Sequence, residues 1–235
     1  STWYRTNGSF NRNPTTGNSG FEWPKGSGKA ARYASGIWMG CVSGVDTLTA
    51  IAEYSYDYVN GWVDNNGNPQ GSDDPLYKTY LINRGNTTEP DYENWPVNQG
   101  AYTDSLGNPF FLGTQTMFYS YTDAYPHGSG STSLQSLKAQ ILQTNWCYTN
   151  IGLEDVHFIE FRIINRSSTP WIKAYLAFWT DDDLGTSTDD KIGCDTIRNL
   201  GYTYNSTNSD GIYGLAPPAV GTKLLRSPVI YTGNI

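Results

Sequence analysis

The segment 180–195 is the part of the sequence whose residue types and spacing most clearly indicate chemistry. Six carboxylates lie within 15 residues, directly after an apolar run. Carboxylates held this close without a cation repel one another and raise each other's pKa values. Calcium accepts about six to eight oxygen ligands and tolerates irregular geometry. We therefore predict a structural Ca²⁺ site whose ligands come from Asp181, Asp183, Asp189, Asp190 and Asp195.

A second interpretation of this acidic segment needs no ion. The spacing does not match an EF-hand loop, which requires Gly at its sixth position and Glu at its twelfth. No histidine lies nearby, which disfavours a transition metal. In this interpretation the segment is a solvated acidic turn, and its carboxylates cap neighbouring backbone N–H groups.

Motifs of catalysis are scarce, so the sequence favours a role other than catalysis. We expect His127 to be an exposed loop residue and His157 to be packed within a strand, and no Gly-x-Ser-x-Gly elbow is present. Residues 26–29 resemble a phosphate loop, but Ala30 follows the lysine and Trp23 stands where the first glycine belongs. A glycosidase needs two facing carboxylates, and no spacing pairs the glutamates Glu22, Glu53, Glu154 and Glu160.

Aromatic residues in polar loops give a second candidate site. Trp62, Trp95 and Tyr92 could stack on sugar rings if they are exposed. The alternative, which we favour, is that they pack the long loops onto the body of the protein.

The elements that must position these residues are strands. Of the 235 residues, 14% are aromatic and 16% are charged, and the chain has 25 Gly and 12 Pro. Many short strands joined by turns have this composition. We predict a single β-sandwich or jelly-roll-like domain over residues 36–235, with long loops, preceded by an extended N-terminal arm over residues 1–35.

The period-two pattern is clearest in the middle of the chain. Alternation over 156–165 predicts a half-buried strand, and alternating aromatic residues over 114–123 predict another strand. A further strand is expected over 138–147. The run 171–180 is apolar on both faces, which predicts a central strand paired as a hairpin with 156–165. A late strand is expected over 223–231.

Charge and composition exclude several classes of partner. The net charge is −7, and the few basic residues are scattered, so nucleic acid is not expected as a partner. No apolar run reaches about 18 residues, which argues against a membrane span. The three cysteines, Cys41, Cys147 and Cys194, allow one disulfide plus a buried thiol, or three buried thiols.

A resemblance to one family is carried by several strings taken together. They include Phe21-Glu22-Trp23-Pro24, Asn94-Trp95-Pro96, Asp183-Leu184-Gly185, Gly193-Cys194-Asp195 and Leu200-Gly201-Tyr202. With these strings the chain resembles the N-terminal β-rich region of large secreted proteins of Bacteroidota and related bacteria, which are often exported by the type IX secretion system. The resemblance implies a secreted or cell-surface location and a β-sandwich, and it adds weight to a structural ion.

The same resemblance implies O-glycosylation at Asp-(Ser/Thr)-apolar triplets. Three triplets match, beginning at Asp46, Asp104 and Asp195. Because Asp195 is already a candidate ion ligand, the glycosylation candidates are Thr47 and Ser105. Bulky glycans belong on the surface loops of exported proteins.

The function we predict is that of a secreted extracellular structural module, stabilised by calcium, that builds a filament, sheath or cell-surface assembly. Self-association would use the chain ends, including the β-like segment 227–231, or the open edges of sheets. The alternatives are a carbohydrate-binding or glycan-acting surface protein, and an adhesin.

Overall fold

The computed structural model describes residues 1–128 and 133–227 and confirms the all-β fold. One short α-helix, α1 (Pro90–Glu93), and two 3₁₀ turns, Val97–Gln99 and Ser187–Asp189, occur in this part of the chain. The strands are, in chain order, β1 (Ser9–Phe10), β2 (Phe21–Glu22), β3 (Ala30–Arg32), β4 (Ala34–Ser43), β5 (Asp46–Ile51), β6 (Val59–Asn60), β7 (Trp62–Val63), β8 (Pro69–Gln70), β9 (Tyr80–Asn83), β10 (Gln115–Thr122), β11 (Ala139–Cys147), β12 (His157–Asn165), β13 (Trp171–Asp181), β14 (Asp190–Asp195), β15 (Leu200–Asn205), β16 (Ser209–Asp210), β17 (Gly214–Leu215) and β18 (Ala219–Lys223).

The chain divides into two compact units. One contains Tyr4–Phe10 and Gly36–Trp179, and we call it the sandwich unit. The other contains Ser1–Trp3, Asn11–Ser35 and the chain from Thr180 onward, and we call it the terminal unit. Most of the predicted N-terminal arm therefore belongs to the same unit as the acidic segment.

The sandwich unit has a core between two sheets. One sheet has the order β1-β4-β13, with β5 also paired to β4; the other has the order β12-β11-β10-β6, with β9 also paired to β10. Alternate residues of β4 and β10, such as Ile37, Met39, Tyr119 and Tyr121, are buried in one cluster. Burying each such side chain contributes roughly 1.5–3 kcal/mol, which makes this cluster the main stabilising feature of the unit.

The outer face of the five-stranded sheet is also covered. Phe118 and Leu142 alternate with the residues of the first core and join Tyr80, Ile82 and Trp95 in a second buried cluster. The loop that carries α1 supplies Trp95. β10 is therefore buried on both faces, although alternation along its sequence is the pattern of a strand with one buried face.

The prediction that 171–180 is a central strand is wrong. β13 ends the order of its sheet, and residues 172–177 are all exposed. The predicted hairpin is also wrong, because β12 pairs with β11 in the other sheet. The chain therefore passes from one sheet to the other between β12 and β13. Trp171, the first residue of β13, packs against the first core, and its Nε1 donates to the Leu137 carbonyl at 3.2 Å.

The terminal unit contains the acidic segment and the three-stranded sheet β14-β15-β18. The prediction of a late strand over 223–231 is wrong for residues 224–227, because β18 covers Ala219–Lys223 and ends where the predicted strand begins. The part beyond residue 227 lies outside the described residues. No helix in the described ranges has the length and apolar character needed to cross a membrane.

Candidate functional site

The acidic segment is held by its own backbone contacts. Leu184 is fully buried, and its N–H donates to Asp190 Oδ2 at 2.9 Å. Asp210, which we did not select from the sequence, accepts backbone N–H bonds from Thr186, Ile212 and Tyr213 at 2.9, 2.8 and 2.6 Å. The only sequence signal for Asp210 was the Asp-Gly pair that it begins, which is typical of turns.

Asp182 is committed to an ion pair. Its carboxylate receives the Arg32 guanidinium, with both side chains less than a tenth exposed, and Thr203 Oγ1 donates to its Oδ2 at 2.7 Å. This pair links β3 to the acidic segment within the terminal unit. A carboxylate bound in this way is poorly placed to take up a metal ion.

Asp195 does not join the other predicted ligands. Asp190 pairs with Asn205 and Asp195 pairs with Leu200, at opposite ends of the β14–β15 ladder. Five residues of extended strand separate them by roughly 17 Å. Asp195 instead accepts from Arg198 Nη1 at 2.6 Å, so the structure does not bring it together with the other predicted ligands.

Three of the predicted ligands retain features that suit a cation. Burial, together with Asp181 and Asp182, raises the pKa of Asp183. The pKa of Asp190 is raised by burial and by the charges of Asp189, Asp183 and Asp210, although the hydrogen bond from the Leu184 N–H lowers it. Asp189 Oδ1 and Asp190 Oδ1 are buried and receive no hydrogen bond from the described residues. These unpartnered oxygens are what a bound ion would satisfy.

The same carboxylates are not assembled into a coordination shell. Across residues 1–128 and 133–227, no three His, Cys, Asp or Glu side chains converge in a geometry that could hold a metal ion. Binding would require Asp183, Asp189 and Asp190 to move together. Asp181 lies on the last residue of β13, where its carbonyl accepts the Tyr33 N–H at 2.9 Å.

Trp62 lines a shallow groove of about 450 Å³ in the sandwich unit. It is carried by the β7–β8 hairpin, in which Trp62 is the direct partner of Gln70. The glycine at position 61 allows the backbone to pass close to Gln70, because a Cβ on Gly61 would lie 2.0 Å from the Gln70 carbonyl oxygen. An indole beside carboxylates, an amide and hydroxyls is a chemistry that suits a polyhydroxylated ligand. The lining residues are Trp62, Pro69, Gln70, Gly71, Ser72, Asp73, Asp74 and Tyr125.

The other two aromatic candidates have packing roles. Trp95 is only 7% exposed, and its Nε1 donates to the Tyr102 carbonyl at 2.9 Å. The Tyr92 ring stacks on Phe111 with centroids 5.8 Å apart. Trp95 is therefore a core residue and not a surface platform, as the packing alternative predicted, because the α1 loop folds onto the outer face of the five-stranded sheet.

His127 is buried, so the expectation of an exposed loop histidine was wrong. Its Nδ1 lies 2.7 Å from the Ser133 carbonyl oxygen, and its Nε2 lies 3.0 Å from the Asp123 carbonyl oxygen. Asp123 accepts backbone N–H bonds from Leu137 and Ala139. These contacts join neighbouring chain segments and indicate a structural anchor.

His157 is partly buried in β12, with its Nδ1 3.4 Å from the Tyr4 hydroxyl. Burial lowers its pKa to about 4. The neutral imidazole is therefore the form that this packed position favours.

The two glycosylation candidates lie on an accessible strand and in an accessible turn. Thr47 is exposed on β5, and Ser105 is exposed in the turn after Asp104, so both positions are accessible to a glycosyltransferase.

The three cysteines differ in exposure. Cys41 is buried, Cys147 is half-buried and Cys194 is exposed on β14. Of the two alternatives left open by the sequence, three buried thiols do not agree with these positions.

Comparison with models of protein families, with curated proteins and with solved structures finds no match for this chain. The predicted similarity to secreted proteins of Bacteroidota stays a prediction. The proposed function therefore rests on the geometry of the chain.

Proposed function

We propose that this protein is a secreted extracellular structural module that self-associates through the edge of β13. The observation that carries the proposal is the exposed stretch 172–177. Ile172, Tyr175 and Leu176 are 56%, 74% and 39% exposed. Proteins that remain monomeric usually protect sheet edges with charges or bulges, or by covering them.

A second copy of the chain is the occupant that best fits this edge. The stretch 172–177 has one charged residue, Lys173, whose φ of +51° bends the strand near its start. The four residues after it, Ala174 to Ala177, carry no charge. Two such edges can pair with each other, because strand addition satisfies the backbone of both partners. Two copies joined in this way form a pair, and a second kind of contact between such pairs would build a filament or sheath.

Light scattering after size-exclusion chromatography tests this proposal. We expect a mass that rises with protein concentration and returns to the monomer value in Tyr175→Asp. Leu106→Asp is the matched control, because Leu106 is 84% exposed in a turn outside the β13 edge. A monomer at every concentration, or equal effects of the two variants, would overturn the proposal.

Calcium stabilisation is the second part of the proposed function. Asp183, Asp189 and Asp190 are the residues that would hold the ion, and the unpartnered oxygens of Asp189 and Asp190 support this role. The bound cation would neutralise carboxylates that otherwise repel one another. Because the carboxylates are not assembled in the described residues, binding would rearrange the segment between β13 and β14.

Glycan binding at the Trp62 groove is a second candidate function. The observation that favours it is an indole beside the carboxylates of Asp73 and Asp74. Binding of soluble oligosaccharides, followed by calorimetry, should be lost in Trp62→Ala. It should be kept in Trp3→Ala, since Trp3 is 47% exposed and does not line the groove. An adhesin would use the same two surfaces, and binding to host cells would distinguish it.

A further inference from the structure

The sheet β14-β15-β18 has one open face, which we call the tyrosine face. The register places Lys191 beside Tyr204, and it places Gly193 and Gly221 on either side of Tyr202. Lys223 lies at the far end of β18, beside Leu200. Because side chains of a strand alternate, these residues all lie on the same side of the sheet. The face is defined by Lys191, Gly193, Tyr202, Tyr204, Gly221 and Lys223.

On the opposite side of the same sheet, β15 is packed, whereas Ile192 and Cys194 of β14 are exposed. Thr203 and Asn205 alternate with the tyrosines along β15 and are 3% and 8% exposed. Thr203 Oγ1 donates to Asp182 Oδ2, and Arg32 Nη1 donates to Thr222 Oγ1 at 3.1 Å. These contacts fix which way the strand faces, so Tyr202 and Tyr204 are held outward by the fold.

The two glycines make the tyrosine face flat. A Cβ on Gly193 would lie 2.3 Å from Tyr202 Cζ, so the ring of Tyr202 lies over the Gly193 backbone. The rings of Tyr202 and Tyr204 have centroids 5.9 Å apart and an angle of 37° between their planes. They are 36% and 42% exposed. The result is a shallow aromatic surface that needs no rearrangement to be contacted.

The charge around this surface is basic, although the whole chain has a net charge of −7. Lys191 and Lys223 are exposed at diagonal corners of the face. The one carboxylate among the residues on this side, Asp195, is paired with Arg198 at 2.6 Å, and Lys223 also helps to lower its pKa, so Lys191 is the cation without this neighbour. The face therefore combines aromatic rings with cations that can approach an anion.

We propose that the tyrosine face binds an acidic polysaccharide, with sugar rings stacked on Tyr202 and Tyr204. The apolar faces of pyranose rings suit flat aromatic surfaces, and carboxylates on the sugars would approach Lys191 and Lys223. The face is three strands wide and about five residues long, so it covers roughly 10 Å by 17 Å. That area is far below the roughly 800 Å² that each partner contributes to a stable protein interface. A narrow glycan chain is therefore a better occupant than a second copy. This proposal does not depend on the β13 edge or on the Trp62 groove.

Calorimetry with the full chain and two oligosaccharides tests the assignment. The acidic probe is tetragalacturonate, and the neutral probe is cellotetraose. We expect the acidic probe to bind more tightly, with an affinity that falls as salt rises. Tyr204→Ala and Lys191→Gln should each weaken binding, the first by about tenfold. Lys25→Gln is the matched control, because Lys25 is an exposed lysine outside the tyrosine face, and it should leave this binding unchanged.

Several results would overturn the assignment. Equal affinity for the two probes would exclude recognition of the acidic groups. Loss of binding in Trp62→Ala alone would move the site to the groove, and the absence of binding to either probe would remove it. Tyr202→Ala is a second variant, and its melting curve separates lost binding from lost folding, because Tyr202 also covers Gly193. A dimer that disappears in Tyr204→Ala would show that a second copy occupies the face.

Discussion

His127 Nε2 lies 3.4 Å from Asp123 Oδ2, and neither side chain has any exposed surface. The second carboxylate, Asp57 Oδ1, lies 3.9 Å from His127 Nδ1. Both ring nitrogens also face carbonyl oxygens, so both act as donors only when the ring is protonated. Against the opposing effect of burial, the bonds to Asp123 and Ser133 and the charges of Asp57 and Asp123 raise the pKa of His127 to about 9. The imidazolium therefore stabilises the folded state.

This arrangement predicts that stability falls as pH rises. The folded pKa lies above the ordinary value of 6.5, so the contribution is complete below pH 6.5 and is lost as pH approaches about 9. It amounts to at most about 3 kcal/mol. Urea denaturation between these pH values measures it, and His127→Gln should flatten the profile. A wild-type profile that is already flat would contradict the charged assignment.

Removing Arg32 should strongly destabilise the terminal unit. Arg32→Ala leaves the Asp182 carboxylate buried without its cation, which typically costs about 3–5 kcal/mol. The double variant Arg32→Met with Asp182→Leu should recover much of that loss, because it removes both charges together. Urea unfolding followed by circular dichroism compares the variants. A loss below about 1 kcal/mol in Arg32→Ala would show that the pair is not desolvated.

Asp210 should prove as important as any residue chosen from the sequence. Burial opposes ionisation, but the bonds from Tyr213, Thr186 and Ile212 outweigh it and lower the pKa of Asp210 to about 2. Its contribution is therefore present above pH 3.8 and is lost as pH falls towards 2. Asp210→Ala should cost roughly 1–3 kcal/mol at neutral pH. Thermal unfolding measures it, and the exposed Asp46→Ala is the control.

Removal of calcium should lower the melting temperature. An ion at a hundred times its Kd stabilises the folded state by about 2.7 kcal/mol, which corresponds to several degrees for a chain of this size. Differential scanning calorimetry with and without a chelator makes the comparison. Asp190→Asn should abolish the response, and Asp195→Asn should keep it, because Asp195 lies at the far end of β14. An unchanged curve for the wild type would favour the solvated turn.

Local pattern was sufficient to locate most of the long strands. Alternation predicted β10 and β12 to within a residue or two, because the two faces of a strand differ in burial and the side-chain period is two. The concentration of carboxylates between β13 and β14 was likewise visible without a structure. The alternation of Tyr202 and Tyr204 around Thr203 carried the signal of an open face, which we did not use.

Tertiary structure decided what each strand and side chain faces. The apolar pattern of β13 predicted a covered strand, yet the crossover at Trp171 placed β13 at a sheet edge. His127 occupies a loop, as its neighbours predicted, but that loop folds inward so that Asp57 and Asp123 surround it. Partner strands and buried charge pairs join residues far apart in the chain. Local sequence period determines where strands form, whereas long-range packing determines which of their faces and edges are covered.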